Sequence, residues 1–472
     1  MSSEKNQPVS LIDENKNPWV TILLLAGPIF FEQILASLAQ AVDTAMVGSL
    51  GAVATAAVSI SQSPNMLING VVMSLGIGFT ALIARSVGAN DLERARTLVR
   101  QAILTITVLG IPVMLLLFAL ARYIPMWMGG APEILDTAET YNRIIAASTI
   151  FRCLTMVLTS IHRGYGDSKT PMKVNIFVNL LNVVGNYLMI FPTRTLTVFG
   201  FTFTMFGFGW GVAGAAVSTS LSATLGSLIL LAHCFTVDGP MRISIRDSFA
   251  PDKEDLKNVI SLGIPAMIQH FAMSSASILV TSTVASLGTV AVASQSLAGT
   301  AESLSFMPGF AFATAVTTLF GQSLGAKRPD MAQKYLIHAI KLGAVIMVIT
   351  TCVLFFGSNF IMSIFTPDPE VIRHGGVLLK ILAVIQIPQM ISFCTNGALQ
   401  GAGDTKTPLY ISLISVWGVR VLGCLILVRL LGFGLYTVCV CMCTDNVVRC
   451  LLGILAYKRG KWKNIKLESK SN

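Results

Sequence analysis

The sequence predicts an all-α polytopic membrane protein, with twelve transmembrane helices in two six-helix lobes related by a pseudo-two-fold axis along the membrane normal. Three observations carry that prediction. Only 12% of the residues are charged and 53% are hydrophobic, whereas soluble domains carry about 25% charged residues. The apolar residues fall in twelve long blocks, and mean hydropathy is +0.72. Finally, one fixed offset of 237 residues relates the two halves of the chain.

The blocks cover 18–42, 55–84, 97–121, 140–161, 174–192, 210–235, 257–282, 291–320, 333–358, 374–398, 409–428 and 433–456. Each is near or above the ~20 residues that an α-helix needs to cross the hydrocarbon. None shows the alternating segments of ~10 residues expected of a membrane β-barrel. Residues 1–17 form a polar tail of mixed charge, without the pattern of a cleaved signal, so the first helix is expected to target the chain. With this tail inside, the tails and inside loops hold 23 Lys and Arg and the opposite loops hold 5. That bias predicts a plasma-membrane protein with both termini cytoplasmic. The basic tail 458–472 then suits orientation and anionic lipid rather than nucleic acid.

The repeat orders the chain into an N-lobe (18–235), a cytoplasmic linker (236–256) and a C-lobe (257–457). Pro28 pairs with Pro265, SLGAVATA (Ser49–Ala56) with SLGTVAVA (Ser286–Ala293), and ARSVGA (Ala84–Ala89) with GQSLGA (Gly321–Ala326). Farther on, Pro132-Glu133 pairs with Pro369-Glu370, and GYGDSKTP (Gly164–Pro171) with GAGDTKTP (Gly401–Pro408). Six helices per half makes the repeats parallel, and two such bundles leave a central cleft in which transporters hold their cargo. In the doubled loop, glycine supplies the tight turn, Asp or Ser/Thr caps the next helix and Pro starts it.

Several classes are excluded. The chain has no nucleotide loop, G-x-x-x-x-G-K-[ST], and therefore no visible basis for direct ATP drive. Nine cysteines without a C-x-x-C read as small packing residues. Five histidines with no H-E-x-x-H, and no carboxylates at catalytic spacing, argue against an enzyme. A channel suits two fused lobes less well than a carrier does.

VDTAMVG (Val42–Gly48), the doubled SLG segments, the doubled [SV][LV]GA turns and the doubled GDxKTP loops together resemble the multidrug and toxic compound extrusion (MATE) family, over residues 18–457. The resemblance implies a V of two lobes around a cavity and export driven by H⁺ or Na⁺. It also implies that Asp43 is the coupling acid of the first helix, with Asn182 and Asn186 beside it. Some branches carry a second Asp where Asn186 stands. Thr219 is carried over as a further oxygen ligand, and a Na⁺ site would use Asp43, Asn182 and Asn186. No cofactor is expected beyond the coupling ion.

The polar residues inside the blocks support that reading. Charges within the hydrocarbon are costly and face a cavity or a partner. Glu32 and Asp43 are eleven residues apart, about three helical turns, and share a face with Gln40. Asn175, Asn179, Asn182 and Asn186 draw one amide stripe, which serves either as interhelical glue or as cation ligands. Glu302 stands near the midplane of helix eight as a second acid, and helix seven offers Gln269 and His270 where some branches have an acid. Glu32, Gln40, Asn179, Glu302, Gln269 and His270 are the expected cavity residues, and the expected cargo is a small organic cation. Asp445 and Arg449 are spaced to pair on the last helix. A lipid-linked saccharide flippase is the alternative, with Arg152 and Arg420 as its cationic residues. The lipid bilayer is a partner, no obligate protein partner is expected, and a monomer suffices.

Overall fold

The computed structural model describes residues 11–12, 16–198, 201–237, 239, 241–244 and 246–465. The N-lobe comprises α1 (Pro18–Gly48), α2 (Ala52–Gly88), α3 (Leu92–Leu120), the short α4 (Tyr123–Trp127), α5 (Pro132–Tyr165), α6 (Lys169–Ile190) and α7 (Gly211–Thr236). The C-lobe comprises α8 (Lys253–Ala285), α9 (Thr289–Gly325), α10 (Pro329–Phe356), the short α11 (Ser358–Phe365), α12 (Pro369–Ala383), α13 (Gln386–Gly401), α14 (Lys406–Ser412) and α15 (Leu435–Lys458). Among the described residues eleven helices are long and apolar enough to cross a membrane, counting α14 with its continuation to Leu430, and the bent pair α12–α13, taken as one span, makes a twelfth.

The repeat reappears in the packing. Each half lends the start of its first helix to the core of the other. Ile22 and Leu25 of α1 pack with Phe312, Tyr335 and Cys394 of the C-lobe, while Val259 and Leu262 of α8 pack with Phe79, Leu98 and Leu158 of the N-lobe. These two pairs of α1 and α8 residues are themselves 237 positions apart. The turns repeat as well: Asn90 and Lys327 share a positive φ of 59° and 57°. In the doubled loops Gly166 and Gly403 take φ of 92° and 83°, a left-handed turn that favours glycine. Asp167 Oδ1 then accepts the amides of Lys169 and Thr170, and Asp404 Oδ1 accepts that of Thr407, capping α6 and α14.

Both ends of the described chain meet at one end of the bundle, where Leu11, Ile12, Trp462 and Ile465 share a cluster with Phe320. At this termini end the lobes are pressed together along α2 and α9. A Cβ on Gly88 would strike the Gln322 carbonyl, and one on Gly325 would strike that of Arg85. Two hydrogen bonds tie the crossing: Thr318 Oγ1 donates to the Arg163 carbonyl at 2.9 Å, and Gln322 Nε2 to that of Gly164 at 3.1 Å.

The halves differ in three places that the hydropathy does not reveal. The tenth block is broken, with α12 and α13 meeting at 53°, because Pro388 lacks the amide that would bond back to residue 384. Gln386 fills the break, its side chain donating to the Leu382 carbonyl and accepting from Ser305. The eleventh span widens into π-helical turns over Leu413–Val421 and Cys424–Leu430. Between α6 and α7 an antiparallel hairpin forms from β1 (Pro192–Val198) and β2 (Phe201–Phe208). Its threonines and aromatics favour strand, in a segment that falls between two apolar blocks.

Candidate functional site

The α1 and α6 helices run parallel and in register. Asn175 Nδ2 donates to Glu32 Oε1 at 2.8 Å, and Asn186 Nδ2 donates to Asp43 Oδ1 at 2.5 Å. Each pair is 143 residues apart, so the eleven-residue spacing on one helix meets the same spacing on the other, about 16 Å along the axis. Two carboxylates are thereby held at two levels of one helix seam.

The outer level is a chain of amides and hydroxyls. Asn186 Nδ2 also approaches Asn182 Oδ1 at 3.4 Å, and Asn182 Nδ2 donates to Thr219 Oγ1 of α7 at 3.1 Å. Ser218 Oγ fixes the backbone carbonyl of Asn182. Asn186 is fully buried, yet its Oδ1 has no hydrogen-bond partner. Among the described residues no cationic side chain pairs with Asp43. A half-buried carboxylate therefore stands beside a spare carbonyl oxygen with no countercharge.

The level nearer the termini end borders a cavity of about 500 Å³ between the lobes. Arg163, in the last turn of α5, places Nη2 3.0 Å from both oxygens of Glu32. Across the cavity Gln269 Nε2 donates to Ser412 Oγ at 2.8 Å. Gln269 and Ser412 stand 237 positions beyond Glu32 and Asn175, so the C-lobe repeats the contact without the charge. Polar groups of α13 face the same space: Gln389, Ser392, Asn396 and Gln400 lie on one wall. Met73, Met156, Met273, Phe310 and Phe393 supply much of its apolar surface.

The C-lobe gathers an acid and two arginines, with Arg449 at the cavity wall. Asp445, fully buried on α15, is paired with Arg420 at 2.5 Å and with Arg449 at 3.0 Å. Glu302 is 8% exposed in α9 and has Arg420 as its charged neighbour. Asp445 and the two arginines thus compensate one another, whereas among the described residues the Glu302 carboxylate makes no ion pair. Among the described residues no group of three or more His, Cys, Asp or Glu is arranged to hold a metal ion.

A family model, MatE, matches residues 28–188 and again 265–426. Both matches begin at the paired prolines, one repeat apart. The chain belongs to the MatE family. Its relatives include the probable multidrug resistance protein NorM of Thermotoga maritima, 28% identical over 94% of this chain and 92% of the relative. The uncharacterized transporter YisQ of Bacillus subtilis is 25% identical over 94% of both chains. Two solved structures share the fold at 24% identity. One is an outward-facing multidrug resistance MATE family transporter of the MOP superfamily (TM-score 0.87, 97% of this chain and 99% of that one). The other is a MOP superfamily transporter from Pyrococcus furiosus (TM-score 0.86, 97% and 99%) whose binding pocket is described as having reversed polarity.

Within this MatE chain, Asp43, Asn182, Asn186 and Thr219 meet in one hydrogen-bonded group, and Glu32, Gln269 and His270 reach the cavity wall. Gln40, Asn179 and Glu302 do not. Gln40 is exposed beside the seam, Asn179 is half-buried between the two levels of the stripe, and Glu302 lies inside the C-lobe. Helical spacing put Gln40 and Asn179 on a polar face and depth put Glu302 near the midplane, but a helix in a bundle has neighbours on several sides. Arg152 and Arg420 also stand away from the wall, Arg152 donating to Asn65 Oδ1 at 3.2 Å. The sequence reading missed Arg163, which it counted as an inside-loop cation. Its position just before the Gly164 loop hid that it completes α5.

Proposed function

We propose that this MatE protein is a secondary antiporter that exports organic cations across the plasma membrane in exchange for H⁺ or Na⁺, by alternating access of the two lobes. The observation that carries the reading is Asp43, an acid without a cationic partner, beside the spare Oδ1 of Asn186. Hard cations take oxygen ligands, and Asn182 Oδ1 and Thr219 Oγ1 are the further oxygens of the group. H⁺ or Na⁺ on Asp43 removes its charge and lets α1 and α6 settle against each other. An empty, charged Asp43 favours the cargo-binding state. With both termini in the cytoplasm, the contact of α2 with α9 seals the inner side, and the cavity releases its cargo outward.

A flippase is disfavoured by the arginines of the cavity. Arg163 and Arg449 line it, but each is paired with a largely buried carboxylate, Glu32 and Asp445 respectively. Neither carries an unpaired charge. One chain contains both levels of the seam and the cavity, so a monomer is sufficient.

The test is uptake of a fluorescent organic cation into vesicles containing the protein, under separately imposed pH and Na⁺ gradients. Uptake driven by one gradient and lost in Asp43→Asn is expected, and it names the coupling ion. Transbilayer movement of an anionic lipid, with no gradient-driven movement of several cations, would sink the antiport reading.

A further inference from the structure

The Glu32–Arg163 pair is the one place where the repeat is broken by charge on the cavity wall of the N-lobe. Both side chains are largely withdrawn from solvent, at 12% and 15% exposure. The residues one repeat farther on are Gln269 and Gln400, neutral and also on the wall. Gln269 keeps the helix-to-helix contact that Glu32 makes with Asn175. The architecture therefore closes this corner without charge, and packing alone gives no reason for the ion pair. A buried pair is often no more stable than a neutral replacement of similar shape.

Arg163 is held on one side only. Its Nη2 carries both contacts to Glu32, while its Nε is buried with no acceptor. Its main chain is anchored, because the Arg163 carbonyl accepts Thr318 of the opposite lobe. The guanidinium is thus a cation on a fixed tether. On the facing wall, Gln389 Oε1 and Asn396 Oδ1 are buried acceptors without donors. A ligand that supplies those donors and also fits Glu32 is an apolar molecule with a hydrogen-bonding cationic head, such as an amidinium or alkylammonium.

We propose that Arg163 is a tethered competitor: in the empty protein its guanidinium occupies the seat on Glu32 that the cationic head of a cargo takes, and so it sets affinity and selectivity for organic cations. This rests on the cationic-cargo reading and adds the residue that tunes it. Weak cations fail to displace the arginine, whereas a bidentate amidinium replaces its contacts in kind.

The test measures binding of radiolabelled benzamidinium to the purified full-length protein by equilibrium dialysis. Arg163→Gln should tighten binding by about tenfold or more, the scale of a direct charge coupling. Glu32→Gln alone strands the guanidinium, so the Glu32-free arm is the double variant E32Q/R163Q, which recreates the neutral corner of the C-lobe. It should bind benzamidinium at least about tenfold more weakly than Arg163→Gln, with an unchanged elution profile and thermal midpoint. Equal affinity of Arg163→Gln and E32Q/R163Q, or no gain in Arg163→Gln over wild type, would overturn the inference while leaving the cationic-cargo reading intact. Failure of every variant to bind benzamidinium would overturn both.

Discussion

The two lobes share a fold and one repeated sequence, and each holds a paired acid, Glu32 or Asp445, yet Asp43 and Asp445 are surrounded in opposite ways. In the N-lobe Asp43 is met by an amide and no cation. In the C-lobe Asp445 is met by two arginines, and Glu302 sits near one of them. A carboxylate with oxygens around it and no countercharge has a use for a mobile cation, whereas a carboxylate already paired has none. The lobes differ in backbone too. The N-lobe spans α5 and α6 are regular, while their C-lobe counterparts carry the 53° break and the π-helical turns. The duplicated halves thus share a plan but not its details: the N-lobe leaves Asp43 without a countercharge, and the distorted C-lobe pairs Asp445 with two arginines.

That comparison is open to attack at several points. The largest effect should come from Asp43→Asn, which removes the uncompensated charge. Gradient-driven efflux should fall to the level of empty vesicles, with the protein still monodisperse. Wild-type efflux by this variant at equal membrane expression would place coupling elsewhere, and loss of coupling in Glu302→Gln instead would reverse the roles assigned to the lobes.

Asp445→Asn probes the opposite side. It leaves Arg420 and Arg449 without their shared counter-ion, and removing one partner of a buried pair costs about 3–5 kcal/mol. Thermal unfolding in detergent should show a large fall in midpoint, while any surviving protein keeps the wild-type choice of coupling ion. A changed ion preference at unchanged stability would make the C-lobe group a coupling site.

A smaller loss is expected of Asn186→Ala. It deletes the spare Oδ1 and the hydrogen bond to Asp43, and a lost hydrogen bond to a charged group is worth about 1.5–3 kcal/mol. With Na⁺ as the coupling ion, its half-saturating concentration should rise by about tenfold or more, a factor that corresponds to about 1.4 kcal/mol. Replacing Val419, which stands one repeat after Asn182, with Ala should leave it unchanged.

The smallest effect concerns the seam between the lobes. Thr318→Val removes one neutral hydrogen bond, worth about 1 kcal/mol, from the closure at the termini end. The balance of states should move about fivefold toward the form open at that end, read as faster alkylation of a cysteine introduced at Ala84, which faces Gly321 of α9. Unchanged alkylation would mean that the glycine crossing of α2 and α9 alone holds the lobes shut.

The sequence by itself determined the membrane class, the spans and the duplication, because hydropathy and a fixed offset are one-dimensional properties of the chain. It also placed Glu32, Asp43 and the asparagine stripe on their helix faces, since helical period is local. The capped loops at Asp167 and Asp404 were legible for the same reason. Only the tertiary structure decided which faces meet. It set α1 and α6 in a parallel register, sent Glu302 into the C-lobe rather than the cavity, and turned Arg163 from a loop cation into the partner of Glu32. It also broke the tenth span at Pro388 and folded residues 192–208 into a hairpin. Helical spacing says which residues share a side of one helix. What stands opposite that side depends on how the helices pack, and that is settled by contacts between residues from tens to hundreds of positions apart.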